Sequence, residues 1–163
     1  MTRFLNLALL AVLFMTWVVT LAQEKGKGAA DTIPQKVLEG LKARFPQPDI
    51  EKWAREEEGG LVIYDFEFTQ GGKKFEADIK EDGTFHNWEK AVTVQELPTA
   101  VRLSIEKKHP KASMKEIMQI TAVIEGRDEL EGYEIVLKTE AKKEIEVTIA
   151  PDGTILEDSG KGK

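Results

Sequence analysis

The apolar positions of this chain follow a helical spacing, then a spacing of two, and then run through both again. Val37, Leu38, Leu41 and Phe45 recur at helical intervals and form one stripe. Thr32 is placed to cap that helix, Pro34 suits its first turn, and Gln35 completes a capping-box spacing. Pro46 and Pro48 end it. The period then changes: Tyr64, Phe66 and Phe68 alternate with Asp65, Glu67 and Thr69, and Phe75, Ala77 and Ile79 alternate with Lys74, Glu76, Asp78 and Lys80. This pattern predicts strands with one buried and one wet face. Gln70-Gly71-Gly72 joins them as a hairpin, and Asp82-Gly83 marks the next turn.

A second helix follows, with Leu97, Val101 and Ile105 on one side and Pro98 in its first turn. Glu96 at its start and Lys107, Lys108 and His109 at its end suit the helix dipole. Tyr133, Ile135 and Leu137 then alternate with Glu134, Val136 and Lys138, and Ile145, Val147 and Ile149 with Glu144, Glu146 and Thr148. Asp152-Gly153 is the matching turn. Earlier strands are expected around Ile50 to Arg55 and Ile117 to Ile124, and short last strands at Phe85 to Trp88 and Ile155 to Glu157.

The two halves are copies. Ile33-Pro34 and Phe45-Pro46 recur as Leu97-Pro98 and His109-Pro110 at an offset of 64 residues. Tyr64 recurs as Tyr133 and Asp82-Gly83-Thr84 as Asp152-Gly153-Thr154, at offsets of 69 and 70. The second copy therefore carries an insertion between helix and hairpin. The expected fold is α+β: two helix-plus-antiparallel-strand repeats, at 32–90 and 97–157, forming one sheet of up to eight strands with two helices on one face. A single repeat of about 60 residues is marginal alone, which suggests that the two share a core.

Residues 1–22 are of another kind. Arg3 supplies a positive start, Phe4 to Val19 is almost wholly apolar, and Thr20-Leu21-Ala22 ends in small residues. That layout is a secretory signal peptide with cleavage after Ala22, which places the mature protein in the periplasm or outside the cell. The same run approaches the ~18–20 residues that span a bilayer, so an uncleaved anchor, and with it a membrane-tethered structural or sensory envelope protein, is the alternative. Residues 23–31 read as a flexible linker and 158–163 as a frayed tail.

Without the leader the chain holds 22 basic and 29 acidic residues, a net charge of −7. Such a balance opposes nucleic-acid binding and favours a basic partner surface. With no cysteine there is no disulfide and no thiolate chemistry.

No catalytic, metal or cofactor motif emerges. Asp78, Asp82, Gly83 and Glu89 fall at positions of a calcium loop, but Lys80 stands where an oxygen ligand is needed. His86 and His109 form no metal cluster. Ser104 and Ser113 lie in no nucleophile elbow. Paired carboxylates such as Asp65 with Glu67 can in principle do acid–base work; a solvated sheet face is the simpler account.

The candidate binding residues are the acids of the strand faces turned away from the helices: Asp65, Glu67, Glu76, Asp78, Glu134, Glu144 and Glu146. Trp53 and Trp88 join them as aromatic anchors, with packing into the core as the rival role.

The order Leu97-Pro98, His109-Pro110, Gly132-Tyr133-Glu134-Ile135, Glu144-Ile145-Glu146-Val147 and Pro151-Asp152-Gly153-Thr154-Ile155 resembles a PepSY-type domain. Ile33-Pro34, Phe45-Pro46, Tyr64-Asp65-Phe66, Lys74-Phe75-Glu76 and Asp82-Gly83-Thr84 repeat it. The tandem is similar to PepSY-like proteins grouped with the beta-lactamase-inhibitor-like fold. That resemblance implies an exported α+β module without catalytic residues, and an inhibitory or regulatory role toward peptidases. No peptidase domain is attached, so the partner is expected to be a separate protein or peptide, bound through the sheet face away from the helices.

Overall fold

The computed structural model describes residues 32–160. The leader and the linker, 1–31, lie outside them, as do 161–163. The element order is α1 (Gln35–Arg44), β1 (Asp49–Glu58), β2 (Leu61–Gln70), β3 (Lys73–Lys80), β4 (Phe85–Ala91), α2 (Thr99–Lys108), β5 (Ser113–Ile124), β6 (Arg127–Lys138), β7 (Glu144–Ile149) and β8 (Ile155–Asp158). All eight strands form one antiparallel sheet in sequence order. Each repeat is a helix followed by four strands, and β4 pairs with β5 to join them.

The core is double rather than shared. Val37, Leu41 and Phe45 of α1 pack on Tyr64, Phe66, Phe68, Ala77, Ile79 and Phe85. Leu97, Val101 and Ile105 around α2 pack on Ile117, Tyr133, Ile135, Leu137, Ile145, Val147 and Ile149. The expectation of a common core fails because each helix finds enough apolar surface on its own four strands. What crosses between repeats is the β4–β5 ladder and the long β5–β6 hairpin. Val123 packs on the first cluster. Arg44 of α1 donates from Nη1 to both carboxylate oxygens of Asp128 on β6, each at 2.8 Å. Its guanidinium lies 4.8 Å from the Phe85 ring centre and 5.6 Å from that of Trp88.

The duplication is visible in the close packing of each Asp-Gly turn on its helix. A Cβ on Gly83 would strike the Lys36 carbonyl oxygen, and one on Gly153 would stand 2.8 Å from the Ala100 carbonyl oxygen. Lys36 and Ala100 are equivalent at the 64-residue offset. Where the first repeat has Gly40 against the Gly83 carbonyl, the second has Ser104, whose Oγ donates to the Gly153 carbonyl at 2.7 Å.

Three details differ from expectation. Thr32 makes no cap: the Pro34 carbonyl accepts from the amides of Val37 and Leu38 instead. The reciprocal capping contact sits before α2, where Thr93 N and Oγ1 both donate to Glu96 Oε2 at 2.8 and 2.9 Å. Residues 158–160, expected to belong to a frayed tail, are held on the sheet. Asp158 belongs to β8, its carboxylate is fully buried, and it lies 3.3 Å from His109 Nε2. Ser159 exchanges bonds with Glu146: its Oγ accepts from the Glu146 amide at 2.7 Å and its own amide donates to the Glu146 carbonyl at 2.9 Å. Sequence alone hid this because Asp-Ser-Gly carries no apolar signal. Ending the chain at Glu157 removes these bonds, at roughly 0.5–1.5 kcal/mol each. A urea midpoint lowered by about 1–3 kcal/mol of stability is the expected result; an unchanged midpoint would mean the tail only rests on the sheet.

Candidate functional site

Strand alternation sends the aromatic and aliphatic residues to the helices and their neighbours to the opposite, outer face. The register aligns those outer residues into rows. Asp65 on β2 stands opposite Asp78 on β3, which stands opposite Asn87 on β4. Glu67 faces Glu76, Glu76 faces Glu89, and Glu89 faces Ile120 on β5. Met118 faces Glu134 on β6, which faces Thr148 on β7. Glu116 and Glu146 flank Val136. The sheet thus gathers carboxylates from six consecutive strands, β2 to β7, onto the face that neither helix covers.

Of the residues singled out in the sequence, Asp65, Glu67, Glu76, Asp78, Glu134 and Glu146 come together here. Glu144 lies at the exposed start of β7, opposite Lys138, on the rim. The tryptophans do not join the acidic array. Trp88 is on the helix side, its ring centre 5.9 Å from that of Phe45. Trp53 is also on the helix side, at the β1 edge, stacked on Tyr64 at 6.4 Å and still 37% exposed. The Asp78–Glu89 segment is the β3–β4 hairpin; Asp82 Oδ1 accepts from Thr84 N and Oγ1 at 2.9 and 2.6 Å.

Glu89, Glu116 and Thr148 were not foreseen as site residues. The expected strands stopped at Trp88 and began at Ile117, one residue short of each glutamate. Continuing the alternation past Trp88 was the signal that could have found Glu89.

The middle of the outer face is sheltered by its own side chains. Met118 and Ile120 belong to neither helix-side cluster, yet are 3% and 5% exposed. The acids around them are half-buried. Burial, reinforced by the charges of Asp78, Glu76 and Glu67, pushes the Asp65 carboxyl up to about 7. Burial raises Glu89 well above the carboxylate range, with Glu134 and Glu76 adding repulsion. Burial and the Glu146 charge raise Glu134 to about 8, and burial raises Glu146 as well. Asp78 is raised by burial against the opposing bond from Asn87 Nδ2 at 3.0 Å.

Two lysines answer this charge. Lys52 Nζ lies 3.1 Å from Glu67, and Lys74 Nζ lies 2.8 Å from Glu76 and 2.7 Å from Glu116. Burial works against the Lys74 ammonium, but its bonds to Glu116 and Glu76 outweigh that and hold it above the lysine range. The face can therefore accept positive charge and hydrogen-bond donors, and it can exchange protons near neutral pH.

A concavity lies beside α1, an open groove of about 780 Å³ lined by Gly40, Arg44, Lys80, Gly83, Val123 and Gly126. Its strongest polar group, Arg44, is already bound to Asp128.

The model of the PepSY-like family, described as beta-lactamase-inhibitor-like, matches residues 16–86 and again 62–157. No curated protein matches the chain. Among solved structures, a BLIP-like protein from Bacteroides fragilis is 15% identical, with a TM-score of 0.56 over 83% of this chain and 92% of that one. A DUF2874 family protein from Bacteroides uniformis is 14% identical, with a TM-score of 0.58 over 77% and 87%. A protein from Bacteroides eggerthii, proposed to be periplasmic, is 15% identical, with a TM-score of 0.60 over 78% and 88%. At such identities the likeness is one of fold, and it spans both repeats. With two family matches that together run through both helices and all but the last residue of the sheet, the chain belongs to the PepSY-like, beta-lactamase-inhibitor-like family.

Proposed function

We propose that this protein is an exported, non-catalytic binding module that recognises another protein or peptide through the outer face of its sheet, and that an exported peptidase under its control is the partner to look for first. One observation carries the reading: both helices pack on one side, and the other side presents an uncovered carboxylate array drawn from six strands. A sheet held rigid by two cores offers such an array without reorganising, which lowers the cost of association. The leader-like segment at 1–22 supports export, and so does the fold shared with a protein proposed to be periplasmic.

The test is affinity capture from the envelope fraction of the producing cell with three baits. One is the native protein. One carries Glu67→Gln, Glu76→Gln, Glu134→Gln and Glu146→Gln. One carries Arg102→Gln and Lys107→Gln on the exposed side of α2. The native bait and the helix variant are expected to hold the same partner, and the outer-face variant to lose it about tenfold or more, the scale of charge-assisted contacts. A partner kept by the outer-face variant and lost by the helix variant moves recognition to the helices. A captured peptidase is then assayed with and without the module.

A further inference from the structure

Thr148 is 5% exposed, and its Oγ1 has no hydrogen-bond partner. Buried hydroxyls are nearly always bonded, so an orphan marks a place kept ready for a ligand or a source of strain. Its position favours the first. On β7 it sits on the outer face, two residues from Glu146 and directly across from Glu134; Glu157 of β8 faces it from the other side. Met118 stands across Glu134 from it, and Ile120 lies next along β5, opposite Glu89.

We propose that the acidic patch of Glu89, Glu134 and Glu146, with Thr148 Oγ1 buried beneath it, binds a lysine or arginine side chain presented by a basic segment of the partner protein. This rests on the outer face being the recognition face and names what that face takes. Charge complementarity selects the ligand. Of the face's lysines, Lys52 is engaged with Glu67 and Lys74 with Glu76 and Glu116, while Lys80 and Lys138 stand at the far ends of β3 and β6. Glu89, Glu134 and Glu146 are left to answer one another. An ammonium or guanidinium head can donate to several carboxylate oxygens and to the Thr148 hydroxyl at once. The apolar neighbours select an organic cation over a calcium ion. Met118 and Ile120 suit a methylene stem, whereas calcium asks for oxygen on every side.

Binding is linked to protons. Glu134, raised to about 8, holds its proton at neutral pH, and Glu89, raised in the same direction, does too. A cation placed beside the pair favours the ionised form, so entry of the ligand expels a proton and affinity rises with pH. The other groups around the patch are accounted for. Glu56 and Lys52 approach from β1 and Asp65 and Glu67 from β2. Lys74, Glu76 and Asp78 stand on β3, and His86 on β4 acts on Asp78. Glu116 of β5 lies toward Glu134, and Glu157 of β8 toward Glu146.

The probe is pentalysine, titrated calorimetrically into the protein at pH 7 in two buffers of different ionisation enthalpy. Nε-acetylated pentalysine and calcium chloride alone are run beside it. Pentalysine is expected to bind and release a proton, to bind about fivefold more tightly at pH 8 than at pH 6, and to fail when acetylated. Glu134→Gln and Glu146→Gln keep size and fold, as circular dichroism checks, and each weakens binding about tenfold. Thr148→Val weakens it about threefold, and Glu144→Gln on the rim leaves it unchanged. Pentalysine binding that ignores Glu134→Gln and Glu146→Gln, that releases no proton, or that survives acetylation overturns the proposal. So does calcium binding to these carboxylates while pentalysine stays away. The two readings fail separately. If the captured partner depends on the outer face but pentalysine does not bind, the cationic ligand is rejected and the recognition face stands. If the partner ignores the outer face, the face itself is rejected.

Discussion

Gly83→Ala and Gly153→Ala are each expected to destabilise the protein by about 2–5 kcal/mol, far more than the same change at Gly71. Both glycines sit at positive φ, +88° and +89°, where a side chain is strained. Both also press on a helix backbone: the Lys36 carbonyl for Gly83 and the Ala100 carbonyl, with Ser104 Oγ, for Gly153. Alanine must therefore push the turn off the helix as well as adopt a poor backbone angle. Gly71 is the control. It too has positive φ, +60°, but open space around its missing Cβ, so alanine there costs about 1 kcal/mol. Thermal unfolding reads the difference, as a fall of roughly 6–15 °C for either turn glycine in a domain of this size. Equal losses at Gly71 and Gly83 would show that the turns do not bear on the helices.

Stability is expected to fall as pH rises from about 5 to 8.5, by about 3–5 kcal/mol in all. The cause is the half-buried acids. A carboxyl whose folded pKa is raised keeps its proton in the native state after the unfolded chain has released it near pH 4. Its contribution is complete below the unfolded pKa and is lost as pH climbs to the folded value. Asp65 at about 7 and Glu134 at about 8 set the upper end of that window, with Glu89 acting in the same direction. Each keeps partial contact with water, so about 2 kcal/mol apiece is a discounted figure. Asp82 and Asp152 work oppositely. Bonds from Thr84 and Thr154 hold them below the usual range, and their contribution disappears as pH drops through those low values. The stability optimum therefore lies near pH 4–5 by this reasoning. Urea unfolding of the native protein and Glu134→Gln at pH 4.5, 7 and 8.5 checks it. The amide should match the native protein at pH 4.5 and exceed it at 8.5. A native protein as stable at pH 8.5 as at 4.5 would mean that the face is wetter than its burial indicates.

Much of this architecture was legible from periodicity and repetition. The alternation at Tyr64–Thr69, Lys74–Lys80, Tyr133–Lys138 and Glu144–Ile149 gave four strands with the correct inner and outer residues, and the Asp-Gly turns gave their connections. The weaker strands were legible in part. β1 reads Asp-Ile-Glu-Lys-Trp-Ala-Arg-Glu-Glu-Glu, charged on both faces because it is an edge. β6 begins six residues before Tyr133, in the polar Arg-Asp-Glu-Leu-Glu-Gly arm that reaches α1. Pairing partners, not propensity, hold such segments in the sheet. The separation of the cores was not legible either, since an apolar stripe does not say which strands it will meet. Nor was the shelter of the outer face: alternation places Glu89 and Glu134 outward, but only the three-dimensional sheet shows that outward there is half-buried.

The strands lie side by side in the order in which they occur along the polypeptide. Each new ribbon thus docks on the one made just before it, and no later strand inserts between two earlier ones. Pairing between chain neighbours closes shorter loops than a crossover topology would. A chain without cysteine, which must assemble with no covalent cross-links, gains from that ordering, since partly folded forms expose less unpaired strand edge.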